Sequence, residues 1–138
     1  MDDSLLNYSL TGIVAHLVYF AIAVVAVVVF MAVYTAVTPH HELRLIREGN
    51  TAAAVSLGGA VVGYSVPLAK AVAQSAGVSD MLLWSGVALV AQLVAYGIAR
   101  LILPQLSPHV DEGKTASGVL LAAISVAIGL LNAAAMTE

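Results

Sequence analysis

The sequence contains no cysteine and few charged residues, and both facts limit the classes of protein to which it can belong. Without thiols the chain cannot form a disulfide, a thiolate metal site, an iron–sulfur cluster or a cysteine nucleophile. Charged residues make up only 9% of the 138 residues, whereas a typical soluble domain has about a quarter. The five basic residues are too few for the basic surface that nucleic acids require. These absences exclude nucleic-acid binding and argue against a soluble protein.

Apolar residues dominate what remains. They account for 61% of the chain, and its mean hydropathy is +0.99. A soluble domain of this length keeps much of its surface in water and could not bury so much apolar area. The length fits one domain, residues 1–138. We therefore predict a single membrane domain whose main partner is the lipid bilayer, with no cofactor.

Four segments are long and apolar enough to cross a bilayer, which takes about 20 residues. They are residues 13–37, 51–73, 80–103 and 115–135. The first is too long for a signal peptide and lacks its positive flank, so it predicts a retained span. Pro39 and Pro104 mark two ends, and Ser79 or Asp80 is the expected N-cap of the third span. The pattern predicts an all-α integral membrane protein with four transmembrane helices.

Basic residues indicate the orientation of these spans. Three segments connect them, residues 40–50, 74–79 and 104–114, and the first could form a short interfacial helix. Four basic residues lie at the first and third connections, and only Lys70 lies near the second. The four are Arg44, Arg47, Arg100 and Lys114. Since cytoplasmic loops are enriched in lysine and arginine, both termini are predicted to lie outside the cytoplasm.

A short motif occurs twice. Residues 48–52 read EGNTA, and residues 112–116, 64 positions later, read EGKTA. Nine of 24 positions are identical when residues 48–71 are aligned with 112–135, where roughly three are expected by chance. The pattern favours two tandem two-helix repeats, at about 13–73 and 80–136, with Thr51 and Thr115 as helix caps. The alternative is two unrelated helices with similar starts.

Several further motifs spread over nearly the whole chain. They are residues 38–42 (Thr-Pro-His-x-Glu), 45–54 (Leu-Ile-x-x-Gly-Asn-x-Ala-Ala-Ala), 67–68 (Pro-Leu), 80–84 (Asp-Met-Leu-x-Trp), 92–93 (Gln-Leu) and 129–134 (Gly-Leu-Leu-Asn-Ala-Ala). Together they resemble the YjfL-like family of bacterial inner-membrane proteins, a family of unknown function. The resemblance implies four spans built from two copies of a two-helix unit, and an envelope role linked to membrane stress. It supplies no catalytic residues, and His41 and Lys70 depart from the family pattern.

Small residues recur along two of the spans. Gly59 and Gly63 lie in the second span, and Ser125 and Gly129 lie in the fourth. This spacing lets helix backbones approach closely in lipid. Packing between the two hairpins of one chain is the preferred interpretation, and a homo-oligomer face is the alternative.

A few polar residues lie inside the spans. Gln92 is near the middle of the third span, while Tyr64 and Ser65 precede the proline of the second. Asn132 has the corresponding depth in the fourth. A packing hydrogen bond is the preferred role of Gln92, and a helix kink that of the others. The alternative is a small channel or transporter lined by all four, although no charge lies at the centre of a span.

The first connection holds the densest polar cluster: His40, His41, Glu42, Arg44 and Arg47. It could pair internally or bind a cytoplasmic or membrane protein. Its histidines lack the spacing of a zinc site, and the chain has no nucleophile–base set, so neither a metal nor an enzyme is predicted. We expect a homo-oligomeric structural or interaction component of the bacterial inner membrane.

Overall fold

The computed structural model describes residues 2–39 and 41–136, and this part of the chain forms six helices and no strand. In chain order they are α1 (Asp3–Val37), α2 (Glu42–Arg47), α3 (Thr51–Gln74), α4 (Val78–Ile102), α5 (Leu106–Asp111) and α6 (Thr115–Ala135). The four long helices, α1, α3, α4 and α6, are each apolar and long enough to cross a membrane. The predicted all-α membrane fold is confirmed.

Some predicted boundaries are wrong. α1 starts at Asp3, ten residues before the predicted membrane span, because no proline interrupts the segment of polar and apolar residues that precedes the apolar run. Its 35 residues span about 52 Å, well beyond the roughly 30 Å of a hydrocarbon core. α4 begins at Val78, so neither Ser79 nor Asp80 is its N-cap. The Asp80 carboxylate instead accepts from the Ala76 N–H at 3.2 Å.

The closest helix pair is α3 and α6. At this interface, glycines of one helix lie directly against the backbone of the other. Gly118 lies against Ala52, and Gly59 lies against Ala122. Further along, Gly129 lies against Gly63. Along the interface the residue numbers of both helices rise in the same direction, so α3 and α6 run parallel. The small side chains are what let the two backbones come so near.

α4 packs against this pair, and α1 lies at the periphery. Only Phe30 and Tyr34 of α1 are buried, and both are in its C-terminal half. The Phe30 ring stacks on Tyr64 of α3 with centroids 4.3 Å apart, and Tyr34 meets Tyr96 of α4 edge-on at 6.3 Å. Residues 2–18 are exposed along their whole length. α1 therefore packs on the bundle through one face of its C-terminal half, which adds half-buried residues to these aromatic contacts, and its N-terminal half is uncovered. The half-buried residues are Tyr19, Ile22, Ala23, Ala26, Val27 and Met31.

The two short helices meet at one end of the bundle, which we call the α2–α5 end. Asn50 donates from Nδ2 to the Val110 carbonyl oxygen at 2.8 Å and so joins the two connections. α5 was not predicted, and it forms because Leu106 and Val110 turn inward and are fully buried. At the opposite end Lys70 donates to the Ala133 carbonyl oxygen at 2.6 Å.

Candidate functional site

The four small residues singled out in the sequence lie together between α3 and α6 of the same chain. A Cβ built on Gly59 would overlap Ala122, and one built on Gly63 would overlap the Ser125 carbonyl. Gly129 faces the Gly63 carbonyl, the group that Pro67 leaves without its usual helical donor. This face therefore lies at a contact between two helices of the same chain.

Gln92 forms the middle of what we call the polar centre, which consists of Tyr34, Gln92 and Ser125 from α1, α4 and α6. All three side chains are 0% exposed. The Gln92 amide donates from Nε2 to the Ser125 carbonyl oxygen at 3.0 Å. The Tyr34 side chain also lies beside Ser125. The Gln92 bond thus joins α4 to α6, and Tyr34 brings α1 next to the same residue.

The other residues of the predicted polar path do not join Gln92 in a passage. The Ser65 hydroxyl donates to the Val61 carbonyl of its own helix at 2.7 Å. The Tyr64 side chain is 2% exposed and is occupied by its stack with Phe30. The Asn132 Nδ2 is buried near the far end of α6, with no hydrogen-bond partner among the described residues. α3 is helical throughout, Pro67 included.

The predicted partner loop divides into an exposed and a buried part. His41, Arg44 and Arg47 are exposed on or beside α2. Glu42 is 0% exposed, and its Oε1 accepts from the Thr38 hydroxyl at 2.7 Å. His40 lies outside the described residues. The exposed basic side chains could meet a partner, whereas Glu42 faces the bundle and holds α2 to the end of α1.

The two connections end in matching turns, the feature that the duplicated motif marks. Gly49 and Gly113 both have positive φ, of 85° and 78°. Each turn has the same backbone bonds, from Asn50 N to Leu45 O at 2.8 Å and from Lys114 N to His109 O at 2.9 Å. Such left-handed glycines end helices without steric cost.

The helix caps differ from those expected. Thr51 and Thr115 are the first residues of α3 and α6, so the prediction that they cap these helices is wrong. The Asn50 Oδ1 caps α3 by accepting from the Ala53 N–H at 3.0 Å. Lys114, at the equivalent position before α6, makes no side-chain cap bond. The two turns have the same backbone conformation, but the residue after glycine is Asn50 in the first and Lys114 in the second.

Two apolar grooves border α1. One, of about 490 Å³, lies between α1 and α4 and includes Val25 and Leu89. The other, of about 520 Å³, lies where the N-terminal half of α1 leaves α3, and includes His16 and Ala69. Within residues 2–39 and 41–136, no three histidine, aspartate or glutamate side chains are grouped to hold a metal ion.

Sequence reasoning missed Phe30, Tyr34, Tyr96 and Asn50 as organising residues. Phe30 and Tyr34 are one helical turn apart and so share a face of α1. That spacing was the available signal, but in an apolar span it does not reveal which face has a protein neighbour. Asn50 directly precedes an apolar run, which is the ordinary signal of an N-cap.

Comparisons with known proteins agree on a family. The family model described as "Domain of Unknown Function (DUF350)" matches residues 8–136. The chain is 38% identical to the UPF0719 inner membrane protein YjfL of Escherichia coli (strain K12) over 128 residues, covering 93% of this chain and 97% of that protein. It is 26% identical to the UPF0719 transmembrane protein YshE of Bacillus subtilis (strain 168) over 118 residues, covering 84% and 88%.

No solved structure matches the chain significantly. The YjfL protein is named an inner membrane protein, in agreement with four helices able to cross a membrane. The family match covers all four of those helices almost completely. The chain therefore belongs to the DUF350 (UPF0719) family of membrane proteins, as its motifs predicted.

Proposed function

We propose that this protein is a non-enzymatic assembly subunit of the bacterial inner membrane, which associates with copies of itself through α1. One observation carries the proposal: of the 35 residues of α1, only Phe30 and Tyr34 are buried within the chain. The three other long helices share a packed core, whereas α1 adds only one face of its C-terminal half to that core and leaves residues 2–18 exposed on all sides. A long helix left free in this way is available to a second copy, and otherwise to lipid.

The α3–α6 contact supports the choice of α1. Because Gly59, Gly63 and Gly129 face backbone within the chain, the small-residue face cannot also be the oligomer interface. Helix association in lipid depends on close packing and hydrogen bonds, since lipid tails are as apolar as the side chains. Gly12 and Ala15, which border the groove where α1 leaves α3, offer such a close approach.

Disulfide cross-linking in native membranes tests the assembly. The chain has no cysteine, so single-cysteine variants give an unambiguous signal. We expect dimers from one or two of Ile13→Cys, Val14→Cys, Leu17→Cys and Val18→Cys, because one face of a helix recurs about every 3.6 residues. Val90→Cys and Val94→Cys, equally lipid-exposed on α4, are the matched controls. Equal cross-linking at all six positions, with only monomers in mass photometry, would contradict the proposal.

We also propose that the α2–α5 end faces the cytoplasm and that the chain consists of two tandem repeats. Arg44, Arg47, Arg100 and Lys114 are at or near that end, which supports the orientation. The matching turns support the repeat. A cysteine placed at Ser75, at the other end, should react with an impermeant maleimide from outside the cell. Labelling only in inverted vesicles would reverse the orientation.

A small channel is the second candidate. Its supporting observation is that Gln92 and Asn132 each keep a buried polar atom without a partner in the described chain. It ranks lower because Ser65 and Tyr64 are engaged elsewhere, so a path would have to form between copies. Solute or ion flux in proteoliposomes that falls with Gln92→Leu would favour it. Flux equal to that of empty vesicles would eliminate it.

The cellular role we propose is a contribution to envelope integrity under membrane stress, which rests on the family resemblance. The exposed Arg44 and Arg47 would meet the cytoplasmic or membrane partner of such a role. Deletion should lower survival after membrane depolarisation, and Arg44→Ala/Arg47→Ala should reproduce the defect with normal protein levels. Wild-type survival of the deletion strain would remove this part of the proposal.

A further inference from the structure

A small pocket at the end of the bundle opposite the α2–α5 end contains charged residues of both signs. It has a volume of about 50 Å³ and lies where α3 and α6 end and α4 begins. The basic residue is Lys70 and the acidic residue is Asp80, and both are half-buried. Gln74, Ser75 and Trp84 are also in its wall. A ligand in this pocket would meet a positive and a negative charge at once.

Neither charge is neutralised by the described part of the chain. The Lys70 ammonium donates to the Ala133 carbonyl oxygen at 2.6 Å, and the Asp80 carboxylate accepts from the Ala76 N–H at 3.2 Å. Both partners are uncharged backbone groups, and within residues 2–39 and 41–136 neither side chain forms an ion pair. An ammonium has further N–H donors and a carboxylate has further acceptor sites. Each group can therefore bind a ligand atom of opposite charge.

The pocket lies at the level expected for lipid headgroups. α3 ends at Gln74, one helical turn after Lys70, and α4 begins at Val78, so the pocket is at the ends of helices able to cross the membrane. The half-buried Trp84 is in its wall. Tryptophan and lysine near the ends of spans are typical of the membrane–water interface. The phosphate and amine groups of phospholipids are the charged groups that this region of a membrane supplies.

We propose that this pocket binds the headgroup of a zwitterionic phospholipid with a primary amine, the headgroup chemistry of phosphatidylethanolamine. The phosphate accepts from the Lys70 ammonium, and the lipid ammonium donates to the Asp80 carboxylate. A trimethylammonium group has no N–H to donate, and it needs more room than a primary amine in a pocket of about 50 Å³. An anionic headgroup would leave Asp80 facing a like charge. The site does not depend on the proposed self-association.

Native mass spectrometry of the whole protein released from nanodiscs tests the lipid preference. The nanodiscs contain equal amounts of phosphatidylethanolamine, phosphatidylcholine and phosphatidylglycerol with the same acyl chains, so that only the headgroup differs. We expect about fivefold more bound phosphatidylethanolamine than phosphatidylcholine, the upper end of what a partly exposed ion pair supplies. Equal retention of these two lipids, or a preference for phosphatidylglycerol, overturns the proposal.

Asp80→Asn separates the ammonium contact from folding. The asparagine oxygen can still accept from the Ala76 N–H, so the turn before α4 is kept while the negative charge is lost. The preference for phosphatidylethanolamine over phosphatidylcholine should disappear. Glu112→Gln, which removes an exposed carboxylate at the α2–α5 end, should leave the preference unchanged. A wild-type preference in Asp80→Asn overturns the proposal.

Two further measurements test the phosphate contact and the source of the headgroup. Lys70→Gln keeps a donor for the Ala133 carbonyl but should lower the retention of phosphatidylethanolamine, whereas the exposed Lys114→Gln should not. Unchanged retention in Lys70→Gln overturns the phosphate contact. Water-soluble glycerophosphoethanolamine should not displace the lipid, because the bilayer supplies the headgroup at a much higher local concentration. Displacement would overturn the assignment of a membrane lipid.

Discussion

The α3–α6 pair and the helix α1 are opposite solutions to the same problem of holding apolar helices together in lipid. α3 and α6 use their smallest residues, so that Gly59, Gly63 and Gly129 lie directly against the partner backbone. α1 uses its largest, with the rings of Phe30 and Tyr34 reaching across to Tyr64 and Tyr96. The first contact runs along the helices, whereas the second is confined to the C-terminal half of α1.

The difference follows from how contact energy arises in a membrane. Association gains little from burying apolar surface away from lipid, so it depends on many close atom–atom contacts. Glycine permits such contacts along a whole interface but tolerates no added atom. Aromatic rings make fewer, adjustable contacts across a wider gap. We therefore expect α3 and α6 to behave as one rigid element and α1 to detach more easily.

The largest expected effect is at the tight interface. Gly63→Leu should destabilise the protein by about 3 kcal/mol, because its side chain would overlap the Ser125 backbone and no rotamer avoids it. Gly58→Leu on the same helix is the control, since nothing lies within 4 Å of a Cβ built there. Unfolding in a detergent–SDS titration measures both. Equal stability of the two variants would mean that the α3–α6 contact is not rigid.

The next effect concerns the attachment of α1. Phe30→Ala should weaken it by about 2 kcal/mol, less than the usual cost in water because lipid can replace part of the lost contact. Amide hydrogen exchange should rise in the C-terminal half of α1 but not in α3 or α6. Phe20→Ala on the same helix, where the ring is 59% exposed, should change neither. A rise in all the spans would show that α1 and the core unfold together.

The smallest effect compares the two similar turns. Asn50→Ala should cost about 1 kcal/mol, because it removes the cap of α3 and the bond to α5. Lys114→Ala, at the equivalent position, should stay within about 0.5 kcal/mol, since its side chain is exposed and caps nothing. Thermal unfolding of both variants measures the difference. Equal losses would indicate that the turn backbone matters and the Asn50 side chain does not.

The sequence predicted the spans well and the site only in part. Hydropathy and length located the four long helices. The small-residue spacing singled out Gly59, Gly63, Ser125 and Gly129, and these four residues lie at the α3–α6 contact. α1 begins before the predicted span because hydropathy indicates where a membrane core begins, not where a helix does. α5 was not predicted because it is only six residues long and contains Pro108. Its two buried apolar residues are too few to form a recognisable helical pattern.

The polar residues show most clearly where sequence reasoning stopped. Gln92 was expected to form a hydrogen bond with a side chain of another span, whereas its bond goes to the Ser125 backbone carbonyl. Every residue has a backbone carbonyl, so no pattern of side chains could indicate that choice. Glu42 looked like an exposed loop charge, and its burial depends on how α2 folds back under α1.

Composition and hydropathy determined that this chain enters a membrane as helices, and the resemblance of its motifs to known sequences indicated its family. Both depend only on residue type and order along the chain. Tertiary structure decided that the small-residue faces of α3 and α6 meet each other and that Gln92 and Tyr34 both lie beside Ser125. It also decided that α1 remains largely uncovered. The physical reason is that an apolar helix in lipid carries the same hydropathy on every side. Only the approach of a neighbouring backbone determines which face becomes an interface.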